Sequence, residues 1–154
     1  MKGKPEEGLL ISPIQDGTVI DHITAGEGLS VLRILGITGR TTEEVSVATN
    51  VASKQMGKKD IVKIENRELL KEEVDRISLV APRASINIIR EFRVIQKIGV
   101  EIPPEIIGVI RCPNPDCISN ANEPIQSSFL CQRKGYRCRY CDTMIVREIA
   151  AYII

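Results

Sequence analysis

The sequence lacks several features that most catalytic and membrane proteins depend on. Its only histidine is His22, so a metal site built from several histidines is excluded. It contains no Walker motif and no serine in a nucleophile elbow. No apolar run is long enough to span a bilayer. The sequence therefore offers no catalytic set and predicts no membrane span.

A dominant charge of one sign is also missing. The 154 residues include 21 Lys and Arg and 20 Asp and Glu, which gives a formal net charge of +1. This balance gives no general electrostatic reason to expect nucleic acid or an anionic membrane as the partner. Residues 1–8 lack the apolar core of a signal peptide and are predicted to form a flexible arm. We therefore expect a cytoplasmic protein.

Cysteine is absent from residues 1–100 and is then concentrated in two short pairs. The pairs read C-P-N-P-D-C at residues 112–117 and C-R-Y-C at residues 138–141. This spacing is typical of one closed, structural zinc site with the ligands Cys112, Cys117, Cys138 and Cys141. Two disulfides, or an iron or iron–sulfur site, are alternatives, although a reducing cytoplasm favours a metal. The fifth cysteine, Cys131, is interpreted as a small buried apolar residue.

The distribution of cysteine and proline indicates two domains. Residues 99–104 contain two prolines and are predicted to link a domain at 1–100 to a zinc-binding domain at 101–154. The order of strands and helices in the first domain predicts an α+β fold, a ferredoxin-like sandwich in which two helices cover an antiparallel sheet. The second is poor in helix signals and predicts a small all-β domain. About fifty residues bury little surface, so zinc should supply much of its folding free energy.

Hydrophobic periodicity places the individual elements. An alternating pattern puts Val45, Val47 and Val51 on one face of a strand. A helix should open near Gly28, and a second should run from a cap at Asn66 to a stop at Pro82. Strands are predicted at residues 18–23, 44–51, 58–66, 84–90, 92–98, 106–111, 126–132, 136–138 and 144–153.

Two lysines on one predicted strand are candidates for a ligand site. Lys59 and Lys63 share a face, roughly 13 Å apart at ~3.3 Å per residue, with Ile61 between them. Two ammonium groups over an apolar floor suit a polyanion such as a nucleotide triphosphate. A solvent-exposed strand face is the alternative interpretation. His22 is likewise either a ligand contact or an exposed residue at the end of a strand.

Several long motifs resemble the regulatory chain of aspartate carbamoyltransferase. They are G-T-V-I-D-H-I at 17–23, M-G-K-K-D-I-V-K-I-E-N at 56–66, and the cysteine pairs with C-I-S and S-S-F. The resemblance covers the chain from about residue 9 onward. It implies a non-catalytic allosteric subunit of pyrimidine biosynthesis, which binds CTP, ATP and possibly UTP and carries one structural Zn²⁺. It also implies regulatory dimers, three of which link two catalytic trimers through the zinc domains.

The resemblance also assigns roles to individual residues. The implied nucleotide site contains Ile11, Ser12 and Ile14 near the base, Asp21 and His22 near the ribose, Lys59, Lys63 and Lys97 near the phosphates, and Asn87, Ile89, Phe92 and Val94 on the opposite wall. Asn114 and Asp142 are implied to contact the catalytic chain. Ser12 and Pro13 depart from the enterobacterial type of the family, so base selectivity is expected to differ.

A nucleic-acid-binding module is the main alternative function. A zinc domain with a local basic–aromatic cluster suits such a module, and the cluster consists of Arg133, Lys134, Tyr136, Arg137, Arg139 and Tyr140. The near-neutral remainder of the chain argues against it, and the cluster equally suits an acidic protein surface. An enzyme is the weakest candidate because no catalytic set is present.

Overall fold

Five antiparallel strands and two helices build the N-terminal part of the chain. The computed structural model describes residues 13–154, and the chain divides into two units between Val100 and Glu101. The elements of the first unit are β1 (Gly17–Thr24), α1 (Gly28–Ile34), β2 (Val45–Ser53), β3 (Gly57–Glu65), α2 (Lys71–Val80), β4 (Ser85–Arg90) and β5 (Arg93–Gly99). The sheet order is β2-β3-β1-β4-β5. This is a ferredoxin-like arrangement extended by β5, which confirms the predicted α+β class.

The hydrophobic core lies between one face of this sheet and the helices. Ile20, Val62 and Ile86 lie opposite one another on β1, β3 and β4, and all three are fully buried. Val31 of α1 and Ile77 of α2 are fully buried as well. Because side chains alternate along a strand, the residues between these core positions point to the opposite face of the sheet.

A buried carboxylate, which the sequence analysis did not single out, fixes the loops on the helix side. Asp60 is fully buried; its Oδ2 accepts hydrogen bonds from the N–H groups of Gly26 (3.0 Å) and Gly28 (2.8 Å). Its Oδ1 accepts one from the N–H of Asn50 at 2.7 Å. A Cβ at Gly28 would lie only 3.0 Å from Asp60 Oδ2. Glycine therefore allows α1 to begin directly over this carboxylate.

The predicted start of the second helix was wrong by several residues. Asn66 has a left-handed φ of 60°, and α2 begins only at Lys71. The Thr18 hydroxyl donates a hydrogen bond to the Arg67 carbonyl, which fixes the segment before the helix in a non-helical path. The Glu73 carboxylate then accepts the N–H of Leu70 at 2.9 Å and satisfies a donor at the helix start.

The uniform alternation predicted for the second strand was also wrong. The β2–β3 register shifts between Ala48 and Val51, where Asn50 adopts a left-handed φ of 56°. Val47 lies opposite Val62 on the core side, whereas Val51 lies opposite Lys59 and so faces the other side. The hydrogen bond from Asn50 to Asp60 stabilises this irregularity.

The C-terminal unit is a small four-stranded antiparallel sheet. It contains β6 (Glu105–Ile107), β7 (Ser128–Gln132), β8 (Gly135–Cys138) and β9 (Met144–Ile145), in that spatial order, with short 3-10 helices at Ile118–Asn120 and Ile149–Tyr152. The strand predicted at 144–153 was wrong beyond Ile145, because Glu148 turns the chain with a φ of 53°. Similarly, Gly108 with a φ of 73° ends β6 early. No helix in residues 13–154 combines the length and the hydrophobicity needed to cross a bilayer.

Candidate functional site

Four cysteine sulfurs converge between two turns of the C-terminal unit. The Sγ atoms of Cys112, Cys117, Cys138 and Cys141 all lie within 4.8 Å of one another. The Cys112–Cys141 and Cys117–Cys138 sulfur pairs are 3.5 and 3.6 Å apart. A tetrahedral ion with Zn–S bonds of about 2.3 Å holds its sulfurs about 3.8 Å apart, whereas a disulfide needs about 2.0 Å. The four cysteines therefore form a site for one structural zinc ion.

Hydrogen bonds within the turns position these ligands. The Cys117 N–H donates to the Asn114 carbonyl at 3.1 Å, and the Asn120 side-chain amide donates to the carbonyls of Cys112 (2.9 Å) and Asn114 (2.7 Å). In the second turn, the Asp142 N–H donates to the Cys138 carbonyl at 3.0 Å. Hydrogen bonds within the protein thus hold both turns in a conformation that suits the metal.

The thiols differ in their readiness to ionise. Burial raises the pKa of Cys112 to about 12, whereas a hydrogen bond from the Thr143 side chain lowers the pKa of Cys141 to about 6. A bound cation supplies the positive charge that four adjacent thiolates require. Cys131 lies outside the cluster, half-buried on β7 opposite Tyr136, and burial raises its pKa to about 11. It is not a ligand.

In the N-terminal unit, three predicted nucleotide-site residues fall in one row on the face opposite the core. Lys63 on β3 pairs with Val19 on β1, Val19 with Asn87 on β4, and Asn87 with Lys97 on β5. Three strand spacings of ~4.8 Å separate Lys63 from Lys97, so their backbones are roughly 14 Å apart across the sheet. Directly opposed residues share a sheet face. The two ammonium groups therefore flank a floor made by Val19 and Asn87.

Lys63 is the unusual member of this row because its side chain is largely buried although it carries a charge. The residue is only 6% exposed, and within residues 13–154 its side chain has no hydrogen bond or ion pair. Burial lowers the pKa of Lys63, and the nearby charge of Glu65 offsets this only in part. An unpaired charge that is partly withdrawn from water destabilises the folded chain, and an anionic ligand would relieve that cost.

Lys59, in contrast, already has a partner. Its Nζ lies 2.9 Å from Oδ1 of Asp21, which also accepts the His22 N–H at 2.6 Å. Burial alone would raise the pKa of Asp21. The hydrogen bonds from Lys59 and the His22 N–H, together with the nearby charges, outweigh burial and hold that pKa below its ordinary value. Asp21 is therefore an ionised acceptor at neutral pH.

A strand irregularity positions His22. The β1–β3 register shifts between Ile20 and Ile23, and His22 has a left-handed φ of 58°. Its Nδ1 lies 3.4 Å from the Ser85 hydroxyl of β4. The bulge brings Asp21 and His22 to the same end of the sheet as Lys59 and so groups three of the predicted site residues.

The remaining predicted nucleotide-site residues lie toward the other end of the strands. Ile89 is buried and pairs with the exposed Val94 across β4 and β5. Phe92 lies in the intervening left-handed turn, with its side chain exposed and its N–H donating to the Gln15 carbonyl at 2.9 Å. Ile14 is buried just before β1. Ile11 and Ser12 lie outside the described residues.

Sequence reasoning missed Val19 and Ser85 as part of this face. Alternation along β1 carried a signal for Val19, because it lies two residues before Asp21 and must share its face. No such signal existed for Ser85, which reaches the site through the β1–β4 register opposite Asp21. Local sequence patterns do not predict which distant strands pair or in which register.

The two predicted interface residues lie on the two metal-binding turns. Asn114 is half-buried and its Oδ1 accepts the N–H of Asp116 at 3.0 Å. Asp142 is exposed, has a left-handed φ of 64°, and lies 3.6 Å from the Arg137 guanidinium. Both turns therefore present polar groups beside the metal site.

The basic–aromatic cluster is partly neutralised in the fold. Arg137 is paired with Asp142, and Arg139 lies 3.0 Å from the Glu105 carboxylate. Two of its four cations are thus paired with carboxylates, which leaves less positive charge for a phosphate backbone. This weakens the case for a nucleic-acid-binding module.

Comparison with known proteins agrees with this two-part organisation. Residues 9–101 match the family described as aspartate carbamoyltransferase regulatory chain, allosteric domain, and residues 104–151 match the corresponding metal binding domain. A regulatory chain from Methanosphaerula palustris is 70% identical over 96% of both chains. A regulatory chain from Methanoculleus marisnigri is 66% identical over 97% of each chain. One from Haloarcula marismortui is 50% identical over 97% of this chain and 96% of the relative. The chain therefore belongs to the aspartate carbamoyltransferase regulatory chain family, whose members are regulatory and not catalytic.

Proposed function

We propose that this regulatory chain binds CTP and ATP, and UTP with them, on the helix-free face of the N-terminal sheet and docks on catalytic chains through its zinc domain. The observation that carries the proposal is Lys63, a largely buried residue whose ammonium has no partner within residues 13–154 and which lies in one row with Asn87 and Lys97. Catalytic chains are the partners that the family implies.

The charges on this face suit the separate parts of a nucleotide. Lys63 and Lys97 lie at the two ends of the row, and a triphosphate can be held between these two cations. Asp21 is ionised and accepts hydrogen bonds, so it suits ribose hydroxyls, and His22 lies beside it. Lys59 then has two roles, orienting Asp21 in the free chain and contacting the nucleotide when it binds.

The base would lie toward the β4–β5 turn. Ile89 and Val94 are the apolar residues there, and Ile14 precedes β1. The Phe92 N–H is already used by Gln15, so we assign any main-chain contact at this residue to its carbonyl. Base discrimination then depends on main-chain groups more than on charged side chains.

Regulation follows if each nucleotide binds two quaternary states of the assembly with different affinity. A ligand with equal affinity for both states shifts neither. In the proposed assembly, regulatory dimers join catalytic trimers in the cytoplasm, three dimers to two trimers. Asn114 and Asp142, on the two metal-binding turns, contact the catalytic chain. CTP and ATP compete for one site and favour opposite quaternary states, so they transmit opposite signals to pyrimidine biosynthesis.

Calorimetric titration of CTP into the zinc-loaded chain, with ATP as competitor, tests the proposal. We expect saturable CTP binding that ATP displaces, and a loss of affinity of about tenfold or more in Lys63→Gln, because a charge-assisted phosphate contact disappears. Lys54→Gln is the matched control, since Lys54 is exposed in the turn between β2 and β3. Absence of CTP binding by the wild-type chain would refute a nucleotide site on this face.

A further inference from the structure

A polar pocket lies in the C-terminal unit, next to the turn that contains Cys112 and Cys117. It has a volume of about 300 Å³, and its lining includes Gly108, Arg111, Asn120, Gln126 and Ser127. Antiparallel hydrogen bonds build one wall, from the Arg111 N–H to the Tyr152 carbonyl (2.6 Å) and from the Ile154 N–H to the Val109 carbonyl (2.7 Å). The pocket is therefore formed by backbone that the fold holds in place.

The floor of this pocket contains an unsatisfied hydroxyl. Ser127 is 7% exposed, and its Oγ is buried with no hydrogen-bond partner among the described residues. Gly108, with a left-handed φ, leaves room for the Gln126 amide, whose Nε2 would lie 3.0 Å from a Cβ at that position. Buried hydroxyls in native proteins nearly always have partners. A group that is not part of this chain is the natural partner for this one.

The groups around the pocket include several hydrogen-bond donors. Arg111 is exposed, it is the only charged side chain in the lining, and it has no ion pair within residues 13–154. The Asn120 amide, in contrast, is already engaged with the carbonyls of Cys112 and Asn114. A guanidinium, a hydroxyl and an amide around one cavity match the acceptor geometry of a carboxylate.

We infer that the Arg111–Ser127 pocket accepts an aspartate or glutamate side chain of the catalytic chain. The inference rests on the proposed docking function and extends it to a specific anchor. Asn120 connects the two, because the residue that lines the pocket also holds the Asn114 carbonyl on the proposed interface turn. Exposed Ile154, which lines the pocket, and exposed Ile118, which precedes the lining residue Ser119 in the chain, provide apolar surface that a protein partner would cover.

The test measures the affinity of the full-length, zinc-loaded chain for catalytic trimers at several salt concentrations. We expect Arg111→Gln to weaken docking by about tenfold or more and to flatten its salt dependence, because a charged anchor is lost. Arg111→Lys should be intermediate, since a lysine cannot make the bidentate contact. Arg147→Gln, which removes another exposed arginine of the same unit, should dock like the wild type.

Ser127→Ala separates an anchor from a merely structural residue. The substitution removes a hydroxyl that has no partner in the free chain, so resistance to urea should be unchanged or greater while docking weakens several-fold. Lower stability with unchanged docking would assign Ser127 a structural role and overturn the inference.

The remaining outcomes are also decisive. If the wild type docks and Arg111→Gln docks equally well, the anchor is refuted and the docking function stands. If the wild type does not dock at all, both the anchor and the proposed docking function are refuted. If inorganic phosphate shifts the Gln126 amide resonance while Arg111→Gln docks normally, the pocket holds a free anion instead.

Discussion

Lys63 is a residue that lowers the stability of the free chain but is suited to bind an anionic ligand. Its neighbours on β3, Val62 and Ile64, are buried in the core, and Lys63 itself is only 6% exposed, yet its ammonium has no counter-ion within residues 13–154. An apolar side chain of similar length would fit a half-buried sheet face at lower cost. A lysine in this position is best explained by a ligand that supplies the missing negative charge.

Lys63→Met should stabilise the nucleotide-free chain and remove most CTP affinity. The folded pKa of Lys63 lies below its ordinary value of 10.5, so the unfolded chain binds more protons and wild-type stability rises with pH between the two values. The variant should lose that slope. Urea unfolding from pH 7 to 10 checks the stability, and calorimetry checks the binding. A destabilised variant with normal affinity would contradict this account.

Asp60 has the opposite character, because its buried charge is satisfied by three backbone N–H groups. Asp60→Asn places an amide donor against those N–H groups and should lower the free energy of unfolding by about 3 kcal/mol. Urea denaturation measures the change. Asp75→Asn is the control, since Asp75 only pairs with the exposed Lys71 on α2 and should cost less than about 1 kcal/mol. Equal effects of the two substitutions would refute the role assigned to Asp60.

At the scale of elements, the two irregular strands matter most. The β1 bulge groups His22 with Asp21 and Lys59, and the β2 irregularity places the Asn50 N–H on Asp60. Both occur where a residue other than glycine adopts a left-handed φ. Bulges re-aim side chains and bend strands. Here the β1 bulge groups charged side chains at one end of the sheet, and the β2 irregularity satisfies the buried Asp60.

The C-terminal sheet should depend on its metal. Its four strands have two to five residues each, too few to form a large core without a cross-link. Cys138→Ser should lose zinc and the fold of residues 101–154, whereas Cys131→Ser should keep one zinc per chain because Cys131 is not a ligand. Metal analysis and circular dichroism measure both effects. Zinc retained in full by Cys138→Ser would contradict the ligand assignment.

At the scale of the whole molecule, nucleotide binding and docking are predicted to belong to different units. The Lys63 row lies in the first unit and the metal-binding turns in the second, and the chain divides between Val100 and Glu101. Substitutions with no shared contacts usually have independent effects. The two activities should therefore be separable by mutation, even though regulation requires both.

Asp142→Ala should weaken docking on catalytic trimers and leave the CTP affinity of the free chain unchanged. Lys63→Gln should do the reverse. Calorimetry with CTP and sedimentation with catalytic trimers measure the two properties on the same preparations. If Asp142→Ala lowered the CTP affinity of the free chain, the separation of functions would be wrong.

The sequence by itself determined the α+β class and the zinc ligands, because hydrophobic periodicity and cysteine spacing are local properties of the chain. Lys59 and Lys63 could also be placed on one strand face from local spacing. Tertiary structure alone decided that Lys97 and Asn87 extend the Lys63 row, that Asp60 is buried, and that Ser127 lacks a partner. These facts depend on strand register and burial, which arise only when distant segments pair and exclude water.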